Sequence, residues 1–141
     1  MIVLDTNVVS EILRSAPDPE VLRWFDTQPT NTLYLCSVVT GELLYGVARL
    51  PDGRRKQHLA QALQTIIQDD FNLRVLPFDL EASMIYADFA ARRESQGQPI
   101  SMADAQIAAT AVRHDATLAT RNVRDFEGLR VALVNPWVAI E

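Results

Sequence analysis

At 141 residues, 48% of them hydrophobic and 22% charged, the chain has the length and composition of one folded domain, expected to run over residues 1–141, and not of a disordered polymer. No apolar run approaches the roughly 20 residues that cross a bilayer, no basic-then-apolar leader opens the chain, and the lone cysteine, Cys36, has no internal disulfide partner, so a soluble cytoplasmic protein is expected. A net charge of −5 argues on count alone against a partner as anionic as nucleic acid, because phosphate recognition leaves a basic footprint.

The run Ile2 to Leu4 in "MIVLDTNVV" reads as a buried strand, and Asp5 follows it directly. Val8 to Arg14 and Glu20 to Thr27 have helical character, and a second buried run, Leu33 to Cys36, comes next. Val38 to Leu50 predicts a helix with Glu42 in its opening turns; Gly46, one turn further on the same face, leaves space beside that carboxylate. "LPDGRRK" is a turn opening a polar helix from Arg54 to Asp69, after which Val75 to Leu76 is a third short strand. A helix over Leu80 to Ser95 ends through Gly97 in "SQGQP", and Pro99 introduces the helix Met102 to Asp115. Strands Thr117 to Ala119 and Val131 to Val134 close the chain, with "RNVRDF" between them carrying Asp125. Alternation of this kind predicts an α/β fold, a mainly parallel sheet of about five short strands flanked by helices.

Asp104 stands out in "PISMADAQIAATAVRH". Ile107, Ala108, Ala111 and Val112 share its helix face, whereas Gln106, Thr110 and Arg113 form a separate polar stripe. A buried carboxylate needs a proton, a cation or a metal. An ordinary alternative exists, because Ser101-Met102-Ala103-Asp104 is a helix-start pattern with Ser101 as cap and Asp104 in the first turn.

In open α/β sheets, sites form beyond the carboxyl ends of the strands. Asp5, Glu42, Asp104 and Asp125 can all approach that edge. Each has a simpler role open to it: Asp5 as a helix cap, Glu42 as an exposed acid, Asp125 as a turn residue. Together they match the needs of a hard, oxygen-seeking cation, which would also answer much of the charge objection. Other chemistries find less support. His58 and His114 fall on polar stretches, are expected to be solvated, and have no spacing with Cys36 for zinc or a thiol nucleophile; no glycine-rich nucleotide loop occurs. Arg54-Arg55-Lys56 and Arg92-Arg93 read first as solvated helix faces, with binding patches as the alternative.

"VLDTNVVSE", the Glu within "SVVTGELLYGV", "ISMADAQIAATA" and "LATRNVRDFEGL", in that order over nearly the whole chain, closely resemble PIN-domain proteins, especially the VapC and FitB types of bacterial toxin. The resemblance implies a PIN fold and a Mg²⁺- or Mn²⁺-dependent endoribonuclease that hydrolyses RNA phosphodiesters and is held inactive by a small antitoxin encoded beside it. Asp5, Glu42 and Asp104 match the family's metal-binding acids, with Thr6 or Asn7 available for hydrogen bonds. Some proteins that the chain resembles carry the fourth acid where it has Asn122 and others where Asp125 stands; Asp125 is expected as that acid with Asn122 as an auxiliary contact, while Arg121 and Arg124 flank the site and are candidates for phosphate contact. Such a chain is also expected to form a homodimer; Val9, Ile12, Leu13, Trp24 and Phe25 of the early helices exceed what one face of a small sheet obviously needs, with core packing as their default explanation. Two rivals are a PIN-like module that binds RNA or protein without cutting, and a phospho-accepting signalling domain. The second is disfavoured because the only lysine, Lys56, lies in a polar helix far from any strand end.

Overall fold

The computed structural model describes residues 1–138. Its strands are β1 (Ile2–Leu4), β2 (Leu33–Cys36), β3 (Val75–Leu76), β4 (Thr117–Ala119) and β5 (Ala132–Val134), hydrogen-bonded in the order β3-β2-β1-β4-β5. All four neighbouring pairs run parallel. Val3, Leu4, Leu35, Leu118 and Ala119 are fully buried because central parallel strands are covered on both faces, which is why they read as unbroken apolar runs. The covering helices are α1 (Thr6–Ile12), α2 (Pro19–Thr27), α3 (Ser37–Ala48), α4 (Arg54–Thr65), α5 (Leu80–Ser95) and α6 (Met102–Arg113). This is the parallel α/β architecture expected from the alternation. Among the described residues no helix is long and apolar enough to cross a membrane.

Boundaries differ where side chains or backbone geometry intervene. Helix α1 starts at Thr6 rather than Val8 because the Asp5 side chain caps it. The predicted helix Arg54 to Asp69 changes at Thr65 into a π-helical turn, Ile66–Asp70. There the Phe71 amide bonds back to Ile66 at 2.9 Å, and the wider turn seats Phe71 in the core at 3% exposure. Asn72 and Leu73 follow with φ of 47° and 61°, reversing the chain into β3. Gly97, with φ 68°, ends α5 as the residue most tolerant of that conformation, and the Gln98 amide reaches back to Arg93 at 2.9 Å.

Burial bears out one reading of the sequence and corrects two. Val9 and Trp24 belong to the core, and Ile12, Leu13 and Phe25 pack against it, so core packing accounts for the apolar character of the early helices. His114 is only partly exposed, and its Nε2 is enclosed without a hydrogen-bond partner among the described residues, whereas His58 is exposed as expected. Arg93, taken with Arg92 as a solvated face, is 8% exposed. It lies in the last turn of α5, where the chain folds back on the loop after β4.

Candidate active site

The strand order changes direction at β1: β2 and β3 lie on one side, β4 and β5 on the other. Crevices open at such a point beyond the strand ends. Leu4 is in register with Ala119, so the next residues, Asp5 and Thr120, emerge side by side, tied by an Asp5 amide bond to the Ala119 carbonyl at 2.9 Å.

Asp5 is 4% exposed. Its Oδ1 accepts from the Thr6 amide at 2.8 Å, and its Oδ2 accepts from the Thr120 hydroxyl at 2.7 Å and the Asn7 amide at 3.3 Å. Burial pushes its carboxyl above the usual range, the bonds from Thr120 and Thr6 pull against this, and the charges of Glu42 and Asp125 push it further up. Thr120 is fully buried and its Oγ1 also accepts from the Asn122 amide at 3.1 Å. Asn7 spans the same gap, since its Oδ1 accepts from the Arg121 amide at 3.3 Å. Reading the sequence did not find Thr120. A usable signal was present, because "TLA" runs into a polar Thr just as "IVL" runs into Asp5.

Glu42 is exposed on α3, and the Thr6 hydroxyl donates to its Oε1 at 2.7 Å. Thr6 therefore joins Asp5, through its amide, to Glu42, through its hydroxyl. Nothing lies within 4 Å of where a Cβ on Gly46 would be, so the space inferred beside Glu42 exists; it opens into an apolar groove of about 600 Å³ that Glu42, Leu43, Gly46 and Val47 help to line.

Asp104 meets both readings of its helix start. Ser101 caps α6 by accepting from the Asp104 amide at 3.1 Å, which uses backbone and leaves the carboxylate to face the cleft. That half-buried carboxyl is pushed up chiefly by burial, then by Asp5, with Asp125 and Glu42 adding to it and the Ser101 hydroxyl opposing. Asp5, Thr6, Asn7, Glu42, Asp104, Arg121 and Asn122 together line one cleft of about 490 Å³. Ser10, Glu11, Arg14 and Trp137 complete its wall. Arg121 stands with its guanidinium 5.1 Å from the centre of the Trp137 ring. Asp125 sits exposed on a 3₁₀ turn, Val123–Phe126, outside the cleft lining, yet its charge acts on both Asp5 and Asp104. Arg124 is exposed on the same turn.

Positive charge does not answer these acids directly. Arg14 is taken by Glu11 at 3.2 Å, and among the described residues none of Asp5, Glu42, Asp104 and Asp125 has an ion pair. No three Asp, Glu, His or Cys side chains among those residues are grouped closely enough to hold an ion as they stand. The donor set nonetheless suits a hard divalent cation: all its members are oxygens, the carboxyls of Asp5 and Asp104 are pushed up first by burial and then by neighbouring acids, and no ion pair among the described residues compensates them. Asp5 is fixed by its three donors, so closing on an ion would fall to the exposed Glu42 and Asp125 and to Asp104.

The family model described as the PIN domain matches residues 2–130. The chain is similar to VapC ribonuclease Y4jK of Sinorhizobium fredii, at 44% identity over 97% of this chain and 98% of the relative. It is similar also to Toxin FitB of Neisseria gonorrhoeae, at 42% identity over 97% of this chain and 99% of the relative. The solved structure of FitAB bound to an IR36 DNA fragment superposes with a TM-score of 0.92 at 39% identity, covering 100% of this chain and 99% of that one.

Proposed function

The chain belongs to the PIN-domain family, and on that premise we propose that it is a divalent-metal-dependent endoribonuclease, the toxin of a toxin–antitoxin pair, with residues 1–141 forming one PIN domain. The observation that carries the reading is Asp5. It is a carboxylate 4% exposed, held only by neutral donors and surrounded by further acids at the strand switch point; capping α1 accounts for one of its oxygens, but not for the gathering of further acids around a buried charge, which a cation would offset. Asp5, Glu42 and Asp104, with Asp125 as the fourth acid, would hold Mg²⁺ or Mn²⁺. A bound divalent ion supplies Lewis acidity and positive charge at the scissile phosphate.

The chain's own residues do the rest. Thr120, Thr6 and Asn7 lock the Asp5 carboxylate, and Thr6 aims Glu42. An acid beside the attacking water, Asp104 or Asp125, takes its proton. Arg121, steadied on Trp137, contacts a phosphate oxygen, and the Asn122 amide supplies a neutral contact beside it. The names of the VapC ribonuclease and Toxin FitB relatives support the ribonuclease and toxin parts of this reading, and the FitAB structure supports a paired partner; the proposal extends to an antitoxin encoded beside the toxin, a homodimer and a cytoplasmic setting.

Purified protein incubated with several folded RNAs is expected to cut them in Mg²⁺ or Mn²⁺ and not in EDTA, with Asp104→Asn inactive under all conditions. Cleavage that persists in EDTA, or equally in the variant, overturns the proposal.

A further inference from the structure

A protein of net charge −5 that handles RNA must concentrate its positive charge, because a polyanion is held by local cations. Three arginines meet in a small recess outside the acidic cleft. Arg92, Arg93 and Arg130 border a space of about 100 Å³ that Phe89, Gln96 and Gly128 also line. None of these residues lines the cleft of Asp5.

Arg93 is the central group. At 8% exposure, it donates from Nε to the Gln98 carbonyl at 2.8 Å and from Nη1 to the carbonyls of Asp125 and Glu127 at 3.1 and 3.2 Å. Every acceptor is neutral, so its charge meets no carboxylate among the described residues, and Nη2 takes part in none of these bonds. Burying a guanidinium in this way is costly unless an anion arrives. Arg130 likewise has no carboxylate partner among the described residues, and its guanidinium is 5.8 Å from the centre of the Phe89 ring. Arg92 gives Nε to Asp88 at 3.1 Å, which leaves both of its Nη groups unbonded. Asp88 offsets one of the three charges and leaves a local surplus.

The size selects the ligand class. About 100 Å³ holds roughly three water molecules, at about 30 Å³ each, or one phosphoryl group. The donors left over among the described residues, Arg93 Nη2, the two Nη groups of Arg92 and the Arg130 guanidinium, belong to residues that line this space, and guanidinium N–H groups are the usual holders of phosphate oxygens. The recess also shares a loop with the acids: Asn122 lines the cleft, Gly128 lines the recess, and Arg93 grips the carbonyls of Asp125 and Glu127 between them. We propose that the Arg92–Arg93–Arg130 recess is a phosphate subsite that holds a backbone phosphodiester of the RNA whose scissile phosphate lies in the acidic cleft. The proposal rests on the ribonuclease reading.

The test is an Arg92→Gln/Arg130→Gln variant of the full chain, with Arg93 kept because it holds the loop. Both replaced residues are exposed, so thermal melts of the variant should match those of the parent. Binding of a fluorescent single-stranded RNA in EDTA, measured over a salt series, should be weaker in the variant. The slope of log K against log[salt] should be shallower by about 0.7, the loss of one phosphate contact on single-stranded RNA. Cleavage should show a raised KM with kcat unchanged. An unchanged slope and KM overturn the subsite. So does inorganic phosphate raising the melting temperature of the parent but not the variant while both keep the same RNA slope, because the recess then takes free phosphate and not substrate. Should no RNA be cut by the parent in any metal, the ribonuclease reading fails, and the salt slope still decides the recess.

Discussion

Replacing Asp104 by Asn leaves its backbone amide on Ser101 and removes only the charge. Two effects then oppose each other. Losing a negative charge from the first turn of α6 costs about 0.3–1 kcal/mol of helix-dipole interaction. Against this stands relief from desolvation and from the charges of Asp5, Asp125 and Glu42; like-charge contacts near a surface cost a few tenths to about 1 kcal/mol each, so relief comes to about 1–2 kcal/mol after solvent screening. The variant should therefore be as stable as the parent or up to about 1.7 kcal/mol more stable in EDTA, a rise of roughly 0–7 °C for a domain of this size. The sign follows a pH window. A carboxyl raised in the folded state disfavours folding once ionised, so the difference should vanish below the ordinary Asp value of 3.8 and open as pH rises through the raised one. Metal reverses the order: ligand at 100 times its Kd adds about 2.7 kcal/mol to the folded parent, and the variant should gain far less. Calorimetric melts of both proteins in EDTA and in Mn²⁺, from pH 3 to pH 8, make the measurement. Equal responses to Mn²⁺, or a variant clearly less stable than the parent in EDTA at pH 7, would refute the four-acid site and leave Asp104 as a helix-start residue alone.

Thr120→Val should remove the buried donor to Asp5 and the acceptor of the Asn122 amide, costing about 1–3 kcal/mol in denaturant unfolding and lowering metal affinity about 10–100-fold by calorimetric titration; Thr120→Ser should restore most of both. Thr6→Val frees the exposed Glu42 and should cost under about 0.5 kcal/mol while reducing cleavage, so a large stability loss with unimpaired cleavage counts against the aiming role. Cys36 is buried and its thiol is pushed up to about 11, chiefly by burial, so it should resist a thiol reagent at pH 8 in the native protein and react fully in denaturant; rapid native labelling would contradict this.

Buried strands were legible because parallel strands covered on both faces leave continuous apolar runs, and "IVL", "LYLC" and "TLA" are such runs. That Asp5, Glu42 and Asp104 line one cleft was legible for a related reason: each follows a strand or lies in the early turns of a helix, and sites in such sheets form beyond the strand ends. Thr120 was not, because its value lies in a hydrogen bond to a residue 115 positions away, set by the register of β1 on β4 rather than by anything local. The π-helical turn at Ile66–Asp70 was missed on similar grounds, since the need to seat Phe71 is a property of the packed core.

Arg92-Arg93 shows where a local rule gives way to tertiary structure. Adjacent residues on a helix point about 100° apart, so a basic pair at a helix end can place one member outward and turn the other inward. Gly97 decides which, because its positive φ folds the chain back so that the Gln98 carbonyl comes within 2.8 Å of Arg93 Nε, while the loop after β4 brings the carbonyls of Asp125 and Glu127 to the same guanidinium. The residue that a charge count assigns to solvent thus becomes the fixed point of the loop that carries Asn122 and Asp125. The average charge of the chain is thus a poor guide to its local charge: Asp5, Glu11, Glu42 and Asp104 line one cleft, while Arg93 and Arg130, which have no carboxylate partner among the described residues, line a recess at the far end of the loop after β4.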